Sequence, residues 1–118
     1  MMKNSIQEVR HQVRSLTPAI AEVWFTVVAE HVTPTTEVHG RVVGPRCPSH
    51  TTIEVAYPLQ RIAQPPAGTP PLTMRVVIPE PSLWQPQSPF LYCAHVELWQ
   101  DGERCAEKEF DLGLRTRT

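Results

Sequence analysis

Residues 21–29 read Ala21-Glu22-Val23-Trp24-Phe25-Thr26-Val27-Val28-Ala29, with Ala21, Val23, Phe25, Val27 and Ala29 on one parity and Glu22, Trp24, Thr26 and Val28 on the other. A period of two, rich in β-branched and aromatic residues, predicts a β-strand, and so apolar a strand belongs inside a sheet rather than at its edge. Further short runs follow at Val38–Val43, Thr51–Tyr57, Leu72–Ile78, Leu91–Trp99 and Arg104–Leu112, each bounded by proline, glycine or polar turn residues. Strands recurring at this interval predict an antiparallel β-sandwich or barrel.

Proline does much of the parsing. Thirteen of 118 residues are proline, about twice the ordinary usage of roughly 5%, and proline lacks the N–H that a helix interior or central strand needs. Gln64-Pro65-Pro66-Ala67-Gly68-Thr69-Pro70-Pro71 and the stretch from Pro79 to Pro89 read as long loops, the second anchored to the core edge by Leu83 and Trp84. Before Pro18, Ile6, Val9, Val13 and Leu16 stand at helical spacing, and Ser5 and Glu8 at capping-box spacing. Read as a strand, the same segment offers Val9 and Val13 with His11 between them. Both readings stand at 5–16; the strand is preferred because a sandwich needs an edge strand here.

Leu91–Trp99 assigns its own faces: Tyr92, Ala94, Val96 and Leu98 inward, Cys93, His95, Glu97 and Trp99 outward. Asp101-Gly102 is a strong hairpin signal. On the returning strand Ala106, Phe110 and Leu112 share a phase that Cys105 breaks, which predicts a bulge or a bulged turn between Gly102 and Ala106. A two-residue turn sets Cys93 opposite Phe110, a three-residue turn opposite Glu109. In both cases Cys105 lies about 13–17 Å away, beyond the roughly 7 Å limit on Cα separation in a disulfide. Cys47, Cys93 and Cys105 are therefore expected as free thiols, which suits a reducing compartment.

Forty-one per cent of the residues are apolar, enough for one core at a length that predicts a single domain over 1–118. Eleven basic and twelve acidic residues give a net charge of -1, without the basic excess that nucleic-acid or anionic-membrane binding draws on. Every apolar run falls short of the roughly 18 residues of a membrane span, and Met1-Met2-Lys3-Asn4 precedes no signal-like apolar core. The expectation is a cytoplasmic chain with neither membrane nor nucleic-acid partners. No Cys-x-x-Cys and no closely spaced histidine pair is present, so no metal ligand set or cofactor motif is expected. The ten Glu and two Asp are spread over strands and turns, Glu107 and Glu109 reading as a solvated face. Neither a nucleophile elbow nor a glycine-rich phosphate loop occurs, and no residue is assigned a catalytic role.

The segment Pro81-Ser82-Leu83-Trp84-Gln85-Pro86-Gln87-Ser88-Pro89-Phe90-Leu91-Tyr92, followed by Val96-Glu97-Leu98, Asp101-Gly102 and Asp111-Leu112-Gly113-Leu114-Arg115, resembles family 2 glycoside hydrolases, the β-galactosidase, β-glucuronidase and β-mannosidase type. It is similar to the close of the immunoglobulin-like domain that precedes their catalytic barrel, with Leu114 where an aromatic residue or Ile is commoner. The resemblance implies an immunoglobulin-like sandwich of about seven strands. It further implies an accessory, non-catalytic spacer whose partners are a catalytic barrel and a jelly-roll domain. Leu83, Trp84, Pro86, Pro89, Leu91, Tyr92, Gly113 and Arg115 form its structural motif. Pro86 and Pro89 would stiffen the crossing between sheets, Trp84 would pack on the core or a domain interface, and Arg115 would make an ion pair at the domain exit. The alternative is a free-standing carbohydrate- or protein-binding module, in which Trp99 and His95 act with the proline-rich loops, since exposed aromatic faces stack on sugar rings.

Overall fold

The computed structural model describes residues 4–115. Ten strands run in chain order: β1 Ile6–Leu16, β2 Ile20–Ala29, β3 Thr36–Arg46, β4 Val55–Pro58, β5 Gln60–Arg61, β6 Thr73–Pro79, β7 Trp84–Gln85, β8 Ser88–Pro89, β9 Leu91–Gln100 and β10 Glu103–Leu112. Two four-stranded antiparallel sheets, ordered β1-β2-β6-β5 and β10-β9-β3-β4, face each other, and β7–β8 is a separate short hairpin. No helix occurs among the described residues. β4 pairs with β3 in one sheet and β5 with β6 in the other, joined through Leu59, whose N–H donates to Gly40 O at 3.0 Å. Counting β4 and β5 as one strand that switches sheets, and setting the small hairpin aside, leaves the seven strands of an immunoglobulin-like sandwich.

The N-terminal segment is a strand, and its helical spacing has a physical origin. Register shifts fall between Ile6 and Glu8 and between Val13 and Ser15, so two bulges each add a residue. Ile6, Val9, His11, Val13 and Leu16 thereby meet Ala29, Val27, Phe25, Val23 and Ala21, the inward residues of β2. A bulged strand of period two has reproduced a helix-like spacing. His11 completes the inner face by stacking on Phe110 with ring centroids 5.8 Å apart.

Between the sheets, Ala21, Val23, Phe25, Val42, Val76, Ile78, Tyr92, Ala94, Leu112 and Leu114 form one buried cluster. Val27, Val38, Leu72, Val96 and Leu98 form a second. Val9, Leu59 and Phe110 touch both. The inward parity of β9 is as expected: Tyr92, Ala94, Val96 and Leu98 are all buried.

Three local expectations are corrected. The strand expected at Thr51–Tyr57 begins only at Val55; Ile53 is 87% exposed, so residues 51–54 have no apolar face to bury. The turn at Asp101-Gly102 has two residues, with φ of 53° and 79°, as a type I′ turn requires. The bulge lies at Cys105, within the expected span from Gly102 to Ala106, and together with the two-residue turn it sets Cys93 opposite Asp111 rather than Phe110 or Glu109. Pro86 and Pro89 belong to a hairpin rather than an open crossing: Trp84 pairs with Pro89 and Gln85 with Ser88, leaving Pro86-Gln87 as its turn. The three cysteines are free thiols.

Candidate functional site

At the exit end of the sandwich the C-terminal motif folds into a clasp. The Trp84 N–H donates to Leu114 O at 2.7 Å, and Leu114 is fully buried. The Trp84 side chain lies against Gly113, where any Cβ would stand 3.1–3.3 Å from its Cδ1, Cγ and Cβ atoms. Arg115 covers the ring with its guanidinium carbon 4.1 Å from the centroid, a cation–π contact; among the described residues it makes no ion pair of the kind expected. Trp84 is half-buried and stands outside both core clusters, whereas its neighbour Leu83 packs on the first. Buried Tyr92 reaches out of the core to accept the Ser82 N–H on its hydroxyl at 2.9 Å. Leu91 opens β9 half-buried.

The opposite, leading end is pinned by polar groups that the sequence did not reveal. Asn4 is buried; its amide donates to His31 O at 2.7 Å and to Gln100 Oε1 at 3.2 Å, and its own oxygen accepts the His31 N–H at 2.9 Å. Gln100 in turn accepts from Thr36 Oγ1 at 2.6 Å and donates to Thr33 Oγ1 at 2.7 Å and Thr35 Oγ1 at 3.0 Å. Asn4 therefore sits at the Gln100 end of β9, while Leu112–Leu114 sit at its Tyr92 end. Ten residues of strand, about 30 Å, separate them.

The outer face of β9–β10 holds the expected outward residues, but they are more covered than free. In register, His95 faces Glu109 and Glu97 faces Glu107. The His95 side chain is only 13% exposed and stands among three carboxylates: Glu109 Oε1 at 2.9 Å from Nδ1, and Glu107 Oε2 and Glu97 Oε2 at 3.2 and 3.5 Å from Nε2. Glu97 accepts the Trp99 indole N–H at 3.1 Å and Arg104 Nη1 at 3.2 Å. The Trp99 hydrogen bond foremost, then Arg104 and His95, hold its carboxyl below the usual range against the opposing effect of burial. Trp99 meets the His39 ring edge-on at 5.2 Å. Glu107 and Glu109, expected as a merely solvated face, are thus organised around a histidine.

The fold does not bring Trp99 and His95 to the loop Pro66–Pro70. That loop overhangs the outer face of the other sheet, where it encloses, with Arg10, Arg14, Trp24 and Thr73, a groove of about 580 Å³. Arg14 already covers the Trp24 ring at 4.2 Å, and the Trp24 indole donates to Glu22 at 2.6 Å. Cys47 lies beside Ser49 Oγ at 3.3 Å and His50 Nδ1 at 3.4 Å. The Ser49 hydroxyl is the first cause of a lowered thiol pKa, with His50 adding to it, yet Cys47 is only 4% exposed. Burial pushes the Cys93 thiol the other way, helped by Glu109 and Asp111.

Comparison with known proteins accords with this architecture. A β-glucuronidase from Ruminococcus gnavus, solved with D-glucaro 1,5-lactone, superposes with a TM-score of 0.64 at 15% identity, over 96% of this chain and 16% of that one. A β-glycosidase from Bacteroides vulgatus does so with a TM-score of 0.61, also at 15% identity, over 96% of this chain and 14% of that one. At that identity the likeness is one of fold, and the chain spans about one-sixth of the length of these enzymes. A search of curated proteins by sequence returned no match. The model of the glycosyl hydrolases family 2 matches residues 5–115, from the first bulged strand to the arginine over Trp84, and the chain belongs to that family.

Proposed function

We propose that this chain is the non-catalytic immunoglobulin-like domain of a family 2 glycoside hydrolase, a single unit over 1–118 that holds a catalytic barrel and a jelly-roll domain at a fixed separation. One observation carries this reading: the backbone is fastened at both ends of β9, by Asn4 and Gln100 at one and by Trp84, Gly113 and Arg115 at the other. A spacer needs such ends, because a flexible joint would undo the rigidity of the sandwich between them. Retaining glycosidases use two carboxyl groups about 5–5.5 Å apart; in this proposal the barrel supplies them. A cytoplasmic setting is part of the proposal, in keeping with three free thiols.

A second reading, a carbohydrate- or protein-binding module, is favoured by the groove beside Trp24. One experiment separates the two. The chain is titrated with mono- and oligosaccharides while tryptophan fluorescence and backbone NMR shifts are followed, and it is assayed on aryl β-galactoside, β-glucuronide and β-mannoside. A spacer shows no turnover and no saturable binding tighter than about 1 mM, near -4 kcal/mol. Saturable shifts mapping to Trp24, or to Trp99 and His95, establish the module instead. Turnover lost on mutating one of the chain's own carboxylates overturns both.

A further inference from the structure

We infer that the outer face of β9–β10 is a binding site for a divalent transition-metal ion, with His95 Nε2, Glu97 and Glu107 as ligands and Glu109 orienting the imidazole. The register makes this constellation: β9 places His95 and Glu97 two residues apart on one face, and β10 sets Glu109 and Glu107 directly across from them. The result is a rectangle of one imidazole and three carboxylates that neither strand announces alone.

The geometry around the ring selects a cation. Glu109 Oε1 lies 2.9 Å from Nδ1, close enough to hold the ring on that side while Nε2 faces Glu97 and Glu107 on the other. A carboxylate behind a ligating histidine is the usual outer partner of a zinc-bound imidazole. Nε2 is shielded from solvent and has no hydrogen-bond partner. Its separations from Glu107 and Glu97, 3.2 and 3.5 Å, exceed the roughly 2.7–2.9 Å of a charge-assisted hydrogen bond. They match the edge of a zinc tetrahedron: bonds of about 2.0–2.2 Å set neighbouring ligands about 3.3–3.6 Å apart. The donor atoms of His95, Glu97 and Glu107 all lie within 4.8 Å of one another. One imidazole nitrogen with carboxylate oxygens suits zinc and its neighbours better than calcium or magnesium, which take oxygen alone.

Charge points the same way. Three carboxylates meet one guanidinium, Arg104, whose Nη1 lies 3.2 Å from Glu97 Oε2 and 3.4 Å from Glu107 Oε2. Arg104 is half-exposed and free to turn outward when an ion takes those oxygens. Arg41, opposite His95 on β3, is exposed and makes no ion pair with these carboxylates among the described residues.

Zinc chloride titrated calorimetrically into the chelator-stripped chain tests the inference, with the His95 ring nitrogens followed by NMR. One equivalent should bind with a dissociation constant on the order of 10 µM or tighter, moving the Nε2 resonance while Nδ1 keeps its proton. His95→Gln and Glu107→Gln should each weaken binding at least tenfold, and Glu109→Gln by about tenfold, as for an outer partner. Glu107 is half-exposed, so its variant folds and carries the test if the His95 variant does not. No saturable binding below about 1 mM, binding unchanged in Glu107→Gln, or a proton retained on His95 Nε2 at saturating zinc would each overturn the site. The spacer reading stands or falls separately on the sugar titration.

Discussion

The two ends of the sandwich solve one problem with different chemistry. At the exit end, Trp84, Gly113 and Arg115 close on each other by ring contact and a single backbone hydrogen bond. At the leading end, Asn4, Gln100 and three threonines close through a network of side-chain hydrogen bonds, spanning up to 96 residues of sequence. An aromatic clasp draws on removal of apolar area from water and on dispersion, so it tolerates partial loss. A buried amide network is less forgiving, because a group left without its partner keeps its full desolvation cost.

Truncating Trp84 sharpens this contrast most. Removing a large aromatic from a full core costs about 3–5 kcal/mol; Trp84 is half-buried, so Trp84→Ala should lie near the lower bound, about 2–3 kcal/mol by urea denaturation. Its NMR perturbations should centre on residues 82–84 and 112–115 and leave Asn4 and His31 in place. Gln100→Ala should cost about 1–3 kcal/mol, the penalty for stranding the Asn4 amide and the threonine hydroxyls, with shifts confined to the leading end. Arg115→Ala removes only the guanidinium over the ring, worth about 0.5–1 kcal/mol at an exposed site; a larger loss would mean that Arg115 does more than cover Trp84.

The smallest effect concerns the face between the ends. The Glu97 carboxyl is held below its ordinary range in the folded chain, first by the Trp99 N–H and then by Arg104 and His95. Its stabilisation is therefore complete above the unfolded value of about 4.3 and is lost as pH falls through the lower folded value. In denaturation midpoints measured from pH 7 to 3, Glu97→Gln should flatten part of the acid-side decline without altering either end.

The resemblance marked the residues of the exit end, though not their contacts, and nothing marked those of the leading end, for physical reasons. Trp84, Gly113 and Arg115 stand in an order that the resemblance carries, and the inward face of β9 followed from Tyr92, Ala94, Val96 and Leu98, whereas its register against β10 did not. Asn4, Gln100 and Thr33–Thr36 are ordinary polar residues whose roles exist only after the β2–β3 connection and the end of β9 are brought together. The same holds for His95 and Glu107. Alternation turns both outward, but the bulge at Cys105 decides which carboxylate faces which residue; the broken phase at Cys105 announces a bulge without fixing the turn length that, with it, sets the register. At β1 the period was misleading, because the bulges after Ile6 and Val13 mimic helical spacing.

Amide hydrogen exchange at the two ends tests the fastened-ends claim most directly. The Trp84 N–H bonds Leu114 O, and the His31 N–H bonds Asn4 Oδ1; both should exchange within about tenfold of Val96 in the middle of β9, as members of the same cooperative unit. Exchange of either amide at the rate of an open loop, with Val96 still protected, would contradict a domain pinned at both ends.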